Sequence, residues 1–394
     1  MISILKLMKG VLYGNGEHHE KSKQTHIIII IGAGLTGLLL AQELRKLNAR
    51  LEAEGRSAPF TFSIHERDKS SLYRGGGFSL TIHWALQQLY DILPEELSAR
   101  IFECVGNPDA IENGQMEPAL KTTIPPGWKA ARMSRVRFLQ LLMTDLNIHY
   151  SHRLSQITFP TDDTVRAHFE NGDQEAGDLL IGADGANSVV RRFVYGAENP
   201  KNTQLPICML DCRSEYPLKE LEACLRVDPY LFHAGDPVQD GYFIFAFLDM
   251  PPPGSKDGKA GVQLTISWPY EPGYLGQEAP SDPPTELPEQ LAWLKRMAKH
   301  WANPVHDLIY GMPDDSIVRV IRVQEWTPND ANRRPTDGKI TTVGDAADLM
   351  TSFRGENANH GVVDVTKLLA LLAPSGNKPT DFKEVPVPVS TDDA

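Results

Sequence analysis

Three glycines near the start of the chain have the GxGxxG spacing that lets a backbone approach a pyrophosphate. They follow the isoleucine run 27–31, which predicts a buried parallel strand, and an apolar helical stretch begins directly after them. In that setting Gly32 permits the tight turn, Gly34 admits the phosphate, and Gly37 allows close packing of helix against strand. An ordinary glycine-rich turn is the alternative. The residues predicted to contact a dinucleotide here are Gly32, Gly34, Leu35, Thr36 and Gly37.

An acidic residue at the end of the second strand would complete such a site. Residues 60–66 alternate as a strand does and end in Glu66, which Arg67 follows. A carboxylate there accepts hydrogen bonds from an adenosine ribose and disfavours a 2′-phosphate, so Glu66 favours FAD or NAD over NADP. The polar stretch 48–59 lengthens the helix end and the loop before this strand. The alternative for Glu66 is a solvated carboxylate at a strand end.

Two later stretches indicate which dinucleotide binds. Residues 178–192 predict a buried strand, a turn at Gly182–Gly185 and a helix start. Residues 340–369 predict a strand that ends at Gly344–Asp345, a loop rich in glycine and asparagine, and a helix from about Asn357. An aspartate at that strand end can hold a ribityl hydroxyl, and the N-terminus of the following helix can face the pyrimidine edge of a flavin.

In this order, the three motifs resemble those of the FAD-dependent aromatic hydroxylase family, the single-component flavoprotein monooxygenases similar to para-hydroxybenzoate and salicylate hydroxylases. The chain is similar to the fungal members that tailor natural products, and the resemblance extends from about Thr25 to Leu372. It implies an α/β fold. In that fold a Rossmann-like FAD-binding domain with GxGxxG, DG and GD motifs is interleaved with a mainly antiparallel β-sheet substrate domain.

The resemblance also implies roles for single residues. Residues 184–191 match the DG motif, which serves both FAD and transiently bound NAD(P)H, and Gly344–Asp345 match the GD motif. Arg135 matches an arginine that opens a helix near the cofactor, and Gly75–Gly77 lie where the chain passes the isoalloxazine ring. Beyond the glycine motif, the implied cofactor-binding residues are Glu66, Arg67, Gly77, Arg135, Asp184, Asp345, Gly355, Asn357 and Ala358.

The activity implied is that of an FAD-dependent monooxygenase acting in fungal secondary metabolism. It would use NAD(P)H and O2 to hydroxylate or epoxidise a hydrophobic aromatic or polycyclic small molecule. In fungal relatives an arginine and a tyrosine after the DG motif orient the substrate. Arg213 and Tyr216 are candidate counterparts in the catalytic site, and a surface role is the alternative for each.

The chain departs from the family pattern after the GD motif. The family has a histidine, then a proline and Gly-x-Gly, whereas this chain has Asp348, Ser352 and Gly355–Asn357. Asn357 keeps the turn if its φ is positive, because asparagine tolerates that region. The chain also ends soon after the last predicted helix. These departures leave three alternatives open: a flavoprotein dehydrogenase, an isomerase or cyclase with structural FAD, and a flavin-binding protein without turnover.

The composition of the chain argues against several classes of partner and location. The 394 residues carry a formal net charge of −12 and no block of basic residues, which disfavours a nucleic-acid partner. No apolar run reaches the length of about 18 residues that spans a membrane, so we expect no stable membrane insertion. The first 20 residues lack a clear signal-cleavage site, which favours a cytoplasmic location, and the four cysteines fit buried thiols. No metal site is predicted, since no zinc spacing occurs.

The predicted domain pattern is interleaved. Alternating aromatic runs at 241–247 and 261–268 suit a sheet that covers a flavin, an Asn171–Gly172 turn closes a hairpin, and Leu291–Trp301 predicts an amphipathic helix. The predicted segments are a flexible extension at 1–24, an FAD-binding domain at 25–200 interrupted by substrate-side residues at about 75–130, a substrate-domain sheet at 201–325, the GD motif and flavin-side helix at 326–373, and a disordered tail at 374–394.

Overall fold

A computed structural model describes residues 25–55, 60–71, 79–107, 130–160, 163–196, 201–251 and 258–372. Its strands are, in chain order, β1 (His26–Ile31), β2 (Phe60–His65), β3 (Ser79–Ile82), β4 (Ala131–Ser134), β5 (Ile148–His149), β6 (Leu154–Thr158), β7 (Val165–Phe169), β8 (Gln174–Gly177), β9 (Leu179–Gly182), β10 (Thr203–Gln204), β11 (Ile207–Pro217), β12 (Leu231–Asp236), β13 (Gly241–Asp249), β14 (Lys259–Pro269), β15 (Ile317–Val320), β16 (Gln324–Glu325) and β17 (Ile340–Thr342). Its α-helices are α1 (Leu35–Ala53), α2 (Leu86–Ile92), α3 (Glu95–Ser98), α4 (Arg135–Leu142), α5 (Val189–Tyr195), α6 (Glu222–Val227), α7 (Leu287–Met297), α8 (Val305–Tyr310) and α9 (Asn357–Leu372).

A parallel sheet carries the glycine motif. Its strand order is β17-β9-β1-β2-β5, and each neighbouring pair is parallel. The isoleucines of β1 explain why this strand is central: Ile28 and Ile30 pack against α1 and α9, whereas Ile29 and Ile31 pack against β6, β7 and α5. A strand that is covered on both faces needs apolar residues at successive positions, which is what the sequence supplies.

A second sheet is antiparallel and has two unlike faces. Its order is β12-β13-β14-β11-β15. One face is apolar and packs against α6, α7 and α8. The other face carries buried polar side chains, among them Asp211 on β11 and Gln263 and Thr265 on β14. Because successive side chains of a strand point to opposite faces, this alternation gives the sheet one core face and one face able to bind polar groups.

Two side chains join elements that are distant along the chain. Asn359 of α9 is fully buried (0% exposed); its Oδ1 accepts from the His83 backbone N–H over 2.9 Å, and its Nδ2 donates to the Thr81 carbonyl over 3.0 Å. Arg137 of α4 donates to Asp249 Oδ1 at the end of β13 over 2.7 Å. Arg137 therefore links α4 to the antiparallel sheet, and Asn359 links α9 to β3 and the start of α2.

Most predicted elements are confirmed, with shifted ends. The Asn171–Gly172 hairpin lies between β7 and β8, with φ of +93° at Gly172. The helix predicted at Leu291–Trp301 begins four residues earlier, because Pro288 lies in its first turn, where proline is well tolerated. The segments 1–24 and 374–394 and the glycines at 75–77 lie outside the described residues. None of the described helices is long and apolar enough to span a membrane.

Candidate cofactor site

The glycine loop is shaped for a close approach by a ligand. Gly32 has φ of +108°, and a Cβ there would collide with the Ala183 carbonyl. A Cβ at Gly37 would collide with the Gly32 carbonyl, so helix and strand pack as tightly as the motif predicts. Gly34 caps α1, and within the described part of the chain no side chain accepts a hydrogen bond from the first turn of that helix. These backbone N–H groups are free to bind an anion, and the helix dipole favours one.

Glu66 lies beside this loop, immediately after β2. Its Oε2 accepts a hydrogen bond from the Ala33 backbone N–H over 2.9 Å, and its Oε1 accepts from Asp68 over 3.0 Å. The Gly32 N–H donates to the His65 carbonyl over 2.8 Å. The strand end and the glycine loop are thus bonded to each other, and the Glu66 carboxylate is held at their junction.

An open cleft of about 1100 Å³, counting the solvent at its mouth, runs along this junction. Arg135, at the start of α4, lines it with Glu66 and Arg67. Burial lowers the pKa of the Arg135 guanidinium, and Asp345 opposes that shift. Among the described residues no hydrogen bond to this guanidinium is formed, which leaves it able to bind an anionic or carbonyl group of a ligand.

The DG loop is organised by its aspartate. Asp184 Oδ1 accepts from Ser188 Oγ over 2.5 Å, and its Oδ2 accepts from the Val189 backbone N–H over 2.6 Å. Ser188 in turn caps α5 by accepting from the Arg191 N–H over 2.8 Å. Burial raises the pKa of Asp184, and the bonds from Ser188 and Val189 counter that rise. Here the aspartate shapes the loop as well as lining the cleft.

Arg191 connects the DG loop to the GD loop. Its side chain is 1% exposed, bonds the Ala186 carbonyl, and donates to the Asp345 carbonyl over 3.2 Å. Its Cζ lies 4.5 Å from the ring centroid of Trp326, a cation–π distance. The arginine that the resemblance placed in the DG motif therefore lies at the centre of a bridge between two cofactor loops.

The GD loop contains Gly344 and Asp345, with φ of +60° at Gly344. Asp364 of α9 accepts from the Gly344 N–H over 2.8 Å. Burial raises the pKa of Asp345, while the bond from Asn357 and the charges of Arg191 and Arg135 lower it. This carboxyl, at the end of β17, thus accepts one hydrogen bond from Asn357 and lies near the charges of Arg191 and Arg135.

The left-handed turn before α9 lies at Gly355, not at Asn357. Gly355 has φ of +64°, whereas Asn357 is the first residue of the helix, and its Nδ2 donates to Asp345 Oδ1 over 3.3 Å and to the Met350 carbonyl over 3.1 Å. Asn357 therefore closes the loop through its side chain and not through a strained backbone. Ser352 is exposed and begins a short 3-10 turn, and Ala358 packs against the core around α1.

The polar face of the antiparallel sheet forms a network opposite these loops. Asp211 is 6% exposed, and its Oδ1 accepts from Thr265 Oγ1 over 2.6 Å and from Gln263 Nε2 over 2.8 Å. Burial raises the pKa of Asp211 to about 7, against the lowering effect of those two bonds and of Arg132. Burial lowers the pKa of Arg132 to about 10, against the effect of Asp211.

A histidine and a tyrosine lie on the same face, near the loop between Asp345 and α9. We call this segment the flavin-side loop. Tyr242 on β13 bonds His233 Nδ1 on β12, and its ring lies 5.9 Å from that of Phe353. His233 Nε2 is buried and forms no hydrogen bond among the described residues. The loop after the GD motif and the polar face of the sheet therefore meet at Tyr242 and Phe353.

The two predicted catalytic residues point to opposite faces of β11. Arg213 pairs with Asp249 Oδ2 at 3.6 Å on the polar side. Tyr216 is 2% exposed, lies in the apolar core and donates to the Leu308 carbonyl over 2.6 Å. The surface role considered for Tyr216 is wrong, because Tyr216 lies three positions after Arg213 and strand alternation therefore turns it into the core. The structure does not bring them together.

Several site residues had no clear signal in the sequence. Arg132 and Asn359 are buried polar residues whose partners are distant along the chain, so only the fold brings them together. His65 and His152 line the cleft, and His233 lies on the sheet. A polar residue within an apolar alternating run, such as Gln263 or Thr265, was the one available sign of the polar face.

The residues present fit an FAD. Its pyrophosphate matches the N-terminus of α1, which Gly34 begins without a side chain, and the glycines at 32 and 37 allow the tight packing of this loop. Its adenosine ribose matches Glu66, and Arg135 supplies a buried cation without a bonding partner among the described residues. Beyond the cleft, Asp345 and the start of α9 offer one acceptor and a positive helix end to the ribityl and pyrimidine parts.

Comparison with known proteins agrees with this geometry. No family model matches the chain. The FAD-dependent monooxygenase tazP of Aspergillus terreus is 89% identical to it over the whole of both chains. A probable FAD-dependent monooxygenase of Arthroderma benhamiae is 33% identical over 88% of this chain and 81% of its own length. Among solved structures, HpxO of Klebsiella pneumoniae complexed with FAD and uric acid has a TM-score of 0.63 over 89% of this chain and 81% of its own, at 17% identity, which bears on the fold alone.

Proposed function

This chain belongs to the FAD-dependent monooxygenases, and on that premise we propose that it uses NAD(P)H and O2 to hydroxylate or epoxidise a hydrophobic aromatic or polycyclic small molecule in fungal secondary metabolism. The observation that carries the proposal is the meeting of the flavin-side loop and the polar sheet face at Tyr242 and Phe353. In this proposal a substrate held there contacts the aromatic ring of Phe353 on one side and the polar groups of Tyr242 and His233 on another. We also place the enzyme in the cytoplasm, which its four buried free thiols support.

In this proposal the cofactor lies along the cleft. The N-terminus of α1 holds the pyrophosphate, Glu66 holds the adenosine ribose, and Asp345 holds the ribityl chain. Arg135 and the N-terminus of α9 face the flavin ring and favour negative charge on its pyrimidine edge. When bound, FAD supplies the redox and oxygen-activating chemistry that amino-acid side chains do not provide.

The remaining residues orient the substrate and exclude water. Phe353 and Tyr242 enclose the side of the pocket next to the flavin-side loop. His233 and Tyr242 offer polar contacts to an oxygen substituent of the ring, and the buried network around Asp211 keeps the neighbouring face rigid. A site that holds a hydrophobic ring in one orientation and keeps solvent away favours productive oxygen transfer over loss of reducing equivalents.

The test uses FAD-loaded protein with a bicyclic aromatic probe, 2-naphthol, and its saturated analogue, decahydro-2-naphthol. We expect NADPH or NADH oxidation to accelerate with 2-naphthol but not with the analogue, and one 18O atom from 18O2 to enter the product. Some peroxide release is expected, because exposed Ser352 replaces a proline beside the pocket. Product formed without NAD(P)H or O2 contradicts the proposal and favours an isomerase or cyclase. Substrate oxidation without oxygen transfer favours a dehydrogenase.

A further inference from the structure

Three histidines form a compact group at the wall of the cofactor cleft. We call His65, His149 and His152 the histidine cluster. The His65 ring lies 5.1 Å from that of His149 and 5.2 Å from that of His152, centroid to centroid, with both pairs within 19° of parallel. Phe169 stacks on His65 at 4.5 Å. His65 is 1% exposed, so its ring is enclosed by other rings on the side away from the cleft.

The backbones of the same three residues hold the two cofactor-binding elements. The His65 carbonyl accepts from the Gly32 N–H over 2.8 Å. The Glu66 N–H donates to the His149 carbonyl, and the His152 N–H donates to the Glu66 carbonyl, each over 2.8 Å. Both peptide groups of Glu66 are therefore fixed by cluster residues. Any movement of the stacked rings would reach the glycine loop and the ribose-binding carboxylate directly.

One set of tautomers satisfies the rings of His65 and His152 without any charge on them. Ser63 Oγ lies 2.9 Å from His65 Nε2, His65 Nδ1 lies 3.0 Å from His152 Nδ1, and His152 Nε2 lies 3.1 Å from Asp173 Oδ2. A chain of donors from Ser63 through His65 and His152 to Asp173 uses each ring nitrogen once. The two Nδ1 atoms share a single hydrogen. If both rings were charged, two N–H groups would face each other at that distance.

The surroundings disfavour charge on the central ring. Burial first, and then the neighbouring His149 and His152, lower the pKa of His65 to about 3. The acidic groups that face the cluster are at its edge: Glu175 Oε2 lies 4.0 Å from His65 Nε2, and Asp173 pairs with His152. Other charged groups nearby include Glu66, Arg67 and Asp68, which line the cleft, and Arg153, which pairs with Glu170 at 3.4 Å.

A metal is not the reason for the grouping. The described residues contain no set of three or more histidine, cysteine, aspartate or glutamate side chains arranged to hold an ion. The ring nitrogens of His65 and His152 are bonded to each other and to Ser63 and Asp173 instead.

We propose that the histidine cluster is a positioning group for FAD that acts only while His65 is uncharged, and that acid opens the cluster, displaces Gly32 and Glu66, and releases the cofactor. One proton from solvent forms an N–H bond on the ring of His65, and no bond between heavy atoms is made or broken. Once the cluster opens, His65 takes up that proton near the ordinary histidine pKa of about 6.5. Linkage between this open, FAD-free form and the closed, FAD-bound form then weakens FAD binding by up to about tenfold between pH 7.5 and 5.5.

The test is the FAD dissociation constant of the full chain at pH 7.5 and 5.5, measured from quenching of flavin fluorescence. Circular dichroism at each pH confirms that the fold is kept. The variant His65→Phe keeps the stacking with Phe169 but cannot titrate. We expect it to bind FAD up to about threefold more weakly at pH 7.5 and to lose less than about threefold on acidification. The matched control is His306→Phe, an aromatic-stacked histidine far from the cleft, which should follow the wild-type curve.

Two results would overturn the proposal: wild-type affinity that is equal at both pH values, or a His65→Phe variant with the wild-type acid loss. If that variant does not fold, two measurements on the wild-type protein still test the proposal: the pH dependence of its FAD affinity and the proton release on binding. Calorimetric titration of FAD at pH 6.0, in two buffers of different ionisation enthalpy, should show release of roughly half to one proton on binding. Binding without proton release contradicts the proposal.

Discussion

Thr36 occupies the space that a side chain at Gly344 would need. A Cβ at Gly344 would lie 2.5 Å from Thr36 Oγ1, and one at Gly361 would lie 2.7 Å from the same atom. The first turn of α1, the GD loop and α9 therefore interlock around one hydroxyl. The glycine motif and the GD motif, more than 300 residues apart, form one surface because of this contact.

The variant Gly344→Ala should lose both FAD affinity and stability. Alanine adds about 1 kcal/mol of strain at positive φ and a further 1–3 kcal/mol for the collision with Thr36. Urea unfolding and FAD titration measure the two losses. Gly172→Ala is the control, because Gly172 also has positive φ but meets nothing within 4 Å. It should lose only the strain, and equal losses in the two variants would refute the interlock. Thr36→Ala should restore part of the Gly344→Ala loss.

Glu66→Ala should weaken FAD binding by about 5- to 150-fold, which corresponds to roughly 1–3 kcal/mol. The variant leaves a ribose hydroxyl without its acceptor and also removes the bonds from Ala33 and Asp68. Glu66→Gln keeps one acceptor oxygen, so its FAD affinity should lie between that of the wild type and that of Glu66→Ala. Equilibrium FAD titration with the flavin-free protein gives the constants. Unchanged affinity in Glu66→Ala would show that the carboxylate does not contact the cofactor.

Asn359→Leu should lower the free energy of unfolding by about 1–3 kcal/mol, because buried backbone groups of β3 and α2 lose their partners. Thermal unfolding of the FAD-loaded protein is the measurement. The exposed Asn332 provides a control of the same chemistry, and Asn332→Leu should change stability by less than about 0.5 kcal/mol. If Asn359→Leu also lowers the free energy of unfolding by less than about 0.5 kcal/mol, Asn359 does not join α9 to β3.

Asp211 should make the protein less stable as pH rises. Below about pH 4 its carboxyl is neutral in both states, and between about 4 and 7 the unfolded chain ionises while the folded one does not. Its contribution to the free energy of unfolding therefore falls by about 1.4 kcal/mol per pH unit in that window and stays low above it. Asp211→Asn keeps an acceptor for Thr265 and removes the titration. Urea unfolding from pH 5 to 8 should show that the free energy of unfolding falls with pH in the wild type but much less in Asp211→Asn. The same pH dependence in both proteins would contradict this.

The sequence predicts the parallel sheet and its three motifs because each is local. A buried strand, a glycine turn and a helix start are adjacent in the chain, and Gly32, Asp184 and Asp345 could be placed from their neighbours alone. The strand and helix ends shifted by a few residues, as with α7, where the position of proline decides the start.

The substrate side was harder to predict for a physical reason. Arg132, Gln263 and Asp211 belong to three strands, and their hydrogen bonds form only when the sheet and the β3–β4 pair come together. The position of Tyr216 after the DG motif predicts a substrate contact, but the alternation of side chains along β11 places this residue in the apolar core. Asn357 was assigned to a strained turn, and its actual role depends on where Asp345 and Met350 lie in space.

The cofactor content of the purified full-length protein tests the central claim most directly. We predict one FAD per chain, bound without a covalent bond, and released as intact FAD when the protein is denatured and the supernatant is analysed by chromatography. Flavin-free protein should recover the same stoichiometry on titration with FAD. A well-folded protein that neither carries nor takes up FAD would contradict the account.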